Sequence, residues 1–149
     1  MFQNQHRIVL VVDDNLEDRE IYRQYLEQDN KNSYTILEAE SGEEGLKLSA
    51  QNLDAILLDF MLPDFDGLEL LREFKAKTHL KNLPIILLTG HGDETIAVKA
   101  IKTGAQDYLV KGKITSQGLR FAVDSAIKTA ALQAQIEQQT QREALILQI

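Results

Sequence analysis

Ala55-Ile56-Leu57-Leu58-Asp59-Phe60-Met61-Leu62-Pro63-Asp64-Phe65-Asp66-Gly67 is the stretch whose reading decides the fold. An unbroken apolar run leads straight into an acid, and a proline, two further acids and a glycine follow it. A run this brief, without polar alternation, reads as a strand buried on both faces of a parallel sheet. The runs Ile8 to Val12, Tyr34 to Leu37, Ile85 to Leu88 and Tyr108 to Val110 repeat the pattern.

The segments between these runs carry the helical period. Ser41 with Glu44 has the spacing of a capping box, and Asp66 with Glu69 resembles one. Leu68, Leu71 and Phe74 then share a helical face, and Ile21, Tyr22, Tyr25 and Leu26 suit a first helix. Asp93 is the expected N-cap of a helix whose stripe is Ile96, Ala97, Ala100 and Ile101, stopped by Gly104. A last helix begins near Ser116, with the stripe Leu119, Ala122, Val123, Ala126, Ile127 and Ala130. Strand–helix alternation of this kind predicts an α/β fold: a right-handed, doubly wound five-stranded parallel sheet.

Residues 1–7 read as a tail, 8–131 as the domain and 132–149 as a helical extension. Beyond Ala131 the chain is helix-forming but rich in Gln, and Ala144 to Ile149 turns apolar again. A helix running from Ser116 to the end would be about 50 Å long at 1.5 Å per residue, too long to pack entirely on a small domain. A frayed tail is the plain reading. The preferred expectation is a connecting helix, or a weak coiled coil, leading toward a domain outside this chain. Leu132, Ile136, Glu143 and Ile146 give only a broken heptad.

Bulk properties narrow the function. With 149 residues, 44% hydrophobic and 26% charged, the chain suits one soluble domain. A net charge of −7 argues against a nucleic-acid surface. Cysteine is absent, which excludes disulfides, thiolate zinc sites and thiol nucleophiles. No apolar run approaches the roughly 20 residues that cross a bilayer, and Met1 to Arg7 lacks the build of a signal peptide. A cytoplasmic location, away from membranes, is expected.

In open α/β sheets, ligands bind beyond the carboxyl ends of the strands, where strand order reverses. Here the first strand ends on Asp13-Asp14, the third on Asp59, the fourth on Thr89-Gly90 and the fifth on Lys111. In the order 2-1-3-4-5 the first and third strands are neighbours, which brings three carboxylates together. Carboxylates so close raise one another's pKa unless a cation is present. Only oxygen ligands are on offer, so Mg²⁺ is the natural partner. An Asp beside Mg²⁺ and Lys111 is arranged to attack phosphorus, since both cations offset charge on phosphoryl oxygens. Thr89 offers those oxygens a hydroxyl. A single strand-ending Asp is usually a turn former or cap, and a single such lysine a surface group. Acid, acid, hydroxyl and lysine together go unexplained on those terms.

These residues resemble the receiver domain of two-component response regulators, over about Ile8 to Ala131. The resemblance rests on Val11-Val12-Asp13-Asp14-Asn15, on Leu57 through Gly67, on Leu87-Leu88-Thr89-Gly90 and on Gly104 through Lys111. It implies a flavodoxin-like sheet of order 2-1-3-4-5 with an extended C-terminal helix. It implies further that Asp59 is the phosphoacceptor, taking a phosphoryl from a phosphohistidine on a histidine kinase or histidine phosphotransfer protein. Asp14, Asp59 and the Met61 backbone carbonyl would ligate Mg²⁺, and Asp13 would do so through water. Lys111 would pair first with Asp59 and then with the phosphoryl. Thr89 and Tyr108 would be the switch residues, reshaping the face made by the fourth helix, fifth strand and fifth helix. That face and the C-terminal helix are the two candidate homodimer surfaces. Apart from self-catalysed transfer to Asp59 and slow hydrolysis there, no enzyme activity is implied for this domain.

One departure stands out. Receivers typically follow the lysine with proline, often in a cis peptide, whereas Lys111 is followed by Gly112. That bears on loop geometry, and a more mobile loop is expected. His91, close to the expected site mouth, reads as a bystander. Two rival readings fare worse. A haloacid dehalogenase-type phosphatase would place its nucleophile after the first strand with a second Asp two residues on, and Asp13-Asp14-Asn15 lacks that spacing. A degenerate receiver acting only as an interaction module would have lost an acid or the lysine.

Overall fold

The computed structural model describes residues 5–148. Among them, β1 (His6–Val12), β2 (Ser33–Ala39), β3 (Ala55–Asp59), β4 (Ile85–Thr89) and β5 (Asp107–Val110) alternate with helices α1 (Leu16–Glu27), α2 (Gly42–Leu48), α3 (Gly67–Ala76), α4 (Glu94–Thr103) and α5 (Ser116–Leu147). The strands form one parallel sheet in the order β2-β1-β3-β4-β5, as the sequence leads one to expect. Residues 1–4 of the expected tail and Ile149 of the expected extension lie outside the described residues.

Alternating side chains of the central strands feed two cores. Val9, Val11, Leu57, Ile86 and Leu88 pack with Tyr22 and Leu26 of α1 and with Leu119, Val123 and Ala126 of α5. Leu10, Val12, Ile56, Leu58, Ile85 and Leu87 face the other way, onto Leu70, Leu71 and Phe74 of α3 and Ala100 of α4. Burial on both faces is therefore correct for β3, β4 and most of β1. It fails for β2, which exposes Ser33 and Thr35, and for β5, which is half-buried throughout. Both are edge strands, flanked and covered on fewer sides. The α4 stripe is also less buried than its period suggests, with Ala100 inside, Ile96 and Ala97 half-buried and Ile101 51% exposed.

Helix ends follow local chemistry. Ser41, Asp66, Asp93 and Thr115 each accept a hydrogen bond from a backbone N–H of the first turn. Neither Asp13 nor Asp14 caps α1; Asn15 does, accepting from the Asp18 N–H. The acid pair is thus released from capping. Gly104 ends α4 at φ 119, a left-handed conformation that glycine adopts without a Cβ clash. At Gly67 a Cβ would stand 2.7 Å from the Phe60 Cα, so the close approach of the α3 start to the β3 exit needs glycine.

The α5 helix is continuous over 32 residues. Its domain half is held by buried Leu119, Ala122, Val123, Ala126 and Ala130 and by Asp124, 2.8 Å from the buried Arg7 of β1. Past Ala130 the large apolar residues Leu132, Ile136, Leu145, Ile146 and Leu147 are exposed. No helix among the described residues is long and apolar enough to cross a membrane.

Candidate functional site

The carboxyl edge of the sheet gathers the acids, hydroxyl and lysine singled out from the sequence. Asp13 directly follows β1 and is 1% exposed; Asp59 ends β3 and Thr89 ends β4, both buried. One carboxylate oxygen of each of Asp13, Asp14 and Asp59 lies within 4.8 Å of the others. Lys111 follows β5 and extends its ammonium 2.9 Å from Asp13 and 3.2 Å from Asp59. The adjacency of β1 and β3 brings these groups together.

Backbone contacts hold the acids in place. The Asp13 N–H donates to the Ala39 carbonyl at 3.0 Å, and its carboxylate accepts from the Asn15 N–H at 2.9 Å. Buried Arg19 donates to the Asp13 carbonyl at 2.7 Å and is itself held by Glu38 at 2.9 Å. The Asp59 carboxylate accepts a long bond of 3.4 Å from the Met61 N–H. Met61, 69% exposed, forms a small antiparallel bridge with Asp66. Asp64 accepts from the Gly42 and Glu43 N–H groups at 2.9 Å each, pinning the β3–α3 loop to the start of α2.

The electrostatics are lopsided. Burial, and then the Asp13 charge, push the Asp59 carboxyl up to about 6, although Lys111 and the Met61 N–H pull the other way. Burial also opposes the charge on Lys111, yet hydrogen bonds to Asp13 and Asp18 hold its ammonium well above the usual lysine range. The cation is secure while Asp59 is not secure as an anion, because burial and the neighbouring Asp13 charge outweigh the pull of Lys111. A site with surplus negative charge and only hard oxygen donors fits a divalent cation of the Mg²⁺ kind.

The expected switch residues are linked through backbone. The Thr89 hydroxyl oxygen accepts from the His91 N–H at 3.3 Å, and the Tyr108 hydroxyl donates to the His91 carbonyl at 3.2 Å. His91 therefore takes part through its main chain, while its side chain is exposed. The Gly112 loop winds as a single 3-10 turn over Lys111–Lys113, with every described peptide bond trans.

Two participants escaped the sequence reading. Asp18, 3.0 Å from the Lys111 ammonium, is an acid in a helix's first turn, which is ordinarily explained by the helix dipole. Tyr22, one turn further on, buries a hydroxyl that finds no hydrogen-bond partner among the described residues. Burial raises its pKa, and the charges of Lys111, Asp13, Asp18 and Asp59 all reach it. A Tyr within an apolar stripe gives no sign of such company.

Fold and site define a phosphoacceptor domain of two-component signalling. The response regulator receiver domain family matches residues 9–124, and this chain belongs to that family. It is 42% identical over 112 residues to the transcriptional regulatory protein ResD of Bacillus subtilis, covering 74% of this chain and 44% of ResD. It is 42% identical over 104 residues to the transcriptional regulatory protein SrrA of Staphylococcus aureus, covering 69% of this chain and 41% of SrrA. The chain thus spans less than half the length of these curated relatives. A response regulator receiver domain protein from Clostridium thermocellum superposes with a TM-score of 0.74 at 36% identity, over 85% of this chain and 98% of that one.

Proposed function

We propose that Asp59 is the phosphoacceptor and that Lys111, Thr89 and the Asp13–Asp14 pair complete its machinery. The observation that carries this reading is the Lys111 ammonium bridging Asp13 and Asp59 at 2.9 and 3.2 Å, beside a three-carboxylate cluster. An oxygen of Asp59 attacks the phosphorus of a phosphohistidine. The new O–P bond forms as the N–P bond breaks, and the imidazole nitrogen keeps the electron pair. Lys111 follows the charge onto the phosphoryl, and Thr89 donates its hydroxyl there.

Asp14, Asp59 and the Met61 carbonyl are the proposed direct ligands of Mg²⁺. Asp13, already engaged by Lys111 and the Asn15 N–H, suits contact through water. When bound, the ion offsets charge on the phosphoryl oxygens. Recruitment of Thr89 breaks its bond with the His91 N–H, and the His91 carbonyl that holds Tyr108 moves with it. This links the site to the face of α4, β5 and α5, where Val98 and Ile101 are exposed. The phosphoryl shifts an existing two-state equilibrium.

The donor is a histidine kinase or a histidine phosphotransfer protein, encountered in the cytoplasm. The exposed apolar residues of α5 beyond Ala130 support a relay or self-association role for that segment, and the acidic surface does not favour direct nucleic-acid contact. In the test, protein is incubated with Mg²⁺ and acetyl phosphate and weighed intact. A single phosphoryl gain, absent from Asp59→Asn and from metal-free samples, is expected. No gain in the wild type sinks the proposal.

A further inference from the structure

Three acids claim the Lys111 ammonium: Asp13 at 2.9 Å, Asp18 at 3.0 Å and Asp59 at 3.2 Å. Asp13 and Asp18 each accept a hydrogen bond from it, two of an ammonium's three donors, while Asp59 stands in ion-pair contact. Moving the ammonium from Asp59 onto a phosphoryl carried there stretches or breaks one of the two hydrogen bonds that anchor it. We propose that Asp18 is a positioning residue that competes with the phosphoryl group for Lys111, and that its release sets how readily Asp59 stays phosphorylated. The inference rests on Asp59 being the acceptor.

Burial decides which acid yields. The Asp13 side chain is 1% exposed, and leaving a buried carboxylate without its cation is costly. Asp59 carries the phosphoryl itself. The Asp18 side chain is 30% exposed, so water can replace the ammonium there at little cost. Asp18 also sits in the first turn of α1, behind the Asn15 cap that accepts its N–H at 3.0 Å. The helix dipole there steadies its charge with or without Lys111. Asp18 is thus the exchangeable partner, and the exchange transmits the event to α1. From α1 it reaches α5 through Ser116, whose hydroxyl bonds to Gln28 at 2.6 Å and to the Tyr25 carbonyl at 3.3 Å.

The experiment compares beryllofluoride binding, with Mg²⁺ at fixed ionic strength, for wild type, Asp18→Asn, Asp18→Glu and Glu17→Gln. Calorimetry gives affinity, and NMR of the lysine side-chain amine reports the Lys111 environment. Asp18→Asn should bind about three- to five-fold more tightly, the scale of a partly exposed ion pair. Its Lys111 signal should differ from that of wild type before ligand is added and coincide with it afterwards. Glu17→Gln removes an exposed charge from the same turn and should match wild type in both readouts. Asp18→Glu should restore wild-type affinity. Equal or weaker binding by Asp18→Asn, or an equal gain from Glu17→Gln, overturns the inference while leaving Asp59 as acceptor. If wild type binds no beryllofluoride, the acceptor reading falls and this inference falls with it.

Discussion

The Lys111 ammonium stands farther from Asp59, at 3.2 Å, than from either of its other acids, Asp13 and Asp18. The proposed acceptor is therefore the acid that Lys111 approaches least closely, and burial further disfavours its charged form. An acid held in that condition gains from any partner that takes up its charge, whether a metal ion or a phosphorus centre.

That condition has a consequence for stability without metal. The folded pKa of Asp59 is raised to about 6 from an ordinary 3.8, so folding disfavours its charged form. Its stability contribution is fully present below the unfolded pKa and is lost as pH rises through the folded value. Asp59→Asn removes this penalty. At pH 7 in EDTA the variant should be more stable by about 2–3 kcal/mol, at 1.36 kcal/mol per pKa unit. At pH 3.5 the gain should vanish. Urea denaturation at both pH values checks this, and an Asn variant less stable at pH 7 contradicts it.

Mg²⁺ should stabilise the wild type, since the folded protein alone gathers Asp13, Asp14 and Asp59. At ten times its dissociation constant a ligand adds about 1.4 kcal/mol. Thermal melts should show that rise with Mg²⁺ and none with the same ionic strength of NaCl. Asp14→Asn should abolish the Mg²⁺ increment, and an undiminished increment would remove Asp14 from the ligand set.

The clamp between α5 and β1 titrates in the opposite sense. Burial alone would raise the Asp124 pKa, but hydrogen bonds from Lys128 and Arg7 outweigh it and hold the carboxyl low. With the folded pKa depressed, the stabilisation is present above the unfolded value near 3.9 and lost as pH falls through the folded one. Asp124→Ala should cost about 1–3 kcal/mol at pH 7, because Arg7, 3% exposed, loses its counter-charge. The deficit should shrink as pH falls below the ordinary carboxylate range. A deficit that does not change with pH would mean the clamp is packing alone.

Gly67→Ala should be damaging out of proportion to one methyl group. Its Cβ would meet the Phe60 Cα at 2.7 Å, and Phe60 directly follows Asp59. Overpacking of this sort costs about 1–3 kcal/mol. The variant should also take up phosphoryl more slowly than Gly112→Ala, where an added Cβ meets nothing within 4 Å. Equal uptake by the two variants would show that the Phe60–Gly67 contact does not position Asp59.

Much of this was legible because the polar residues interrupt apolar runs. Asp13, Asp14, Asp59, Thr89 and Lys111 each end or follow a strand, and parallel strands align their ends. Asp18 was not legible, since a first-turn acid has an ordinary explanation in the helix dipole. Its contact with Lys111 spans 93 positions of sequence. Asp64 was equally hidden, because its carboxylate serves the N-terminus of α2 and not its own loop. Edge exposure of β2 and β5 could not be read either, because an apolar run looks alike whether it gains one neighbour or two. Local patterning reports what a segment is, and long-range pairing decides what it touches.

The most direct measurement is to map the modified residue. Protein phosphorylated with acetyl phosphate and Mg²⁺ is reduced with borohydride, which converts an aspartyl phosphate to homoserine, and its peptides are sequenced by mass spectrometry. Conversion at Asp59 alone is predicted. Conversion at Asp13 or Asp14, or at no aspartate while the intact protein gains a phosphoryl group, would contradict the assignment of Asp59 as acceptor.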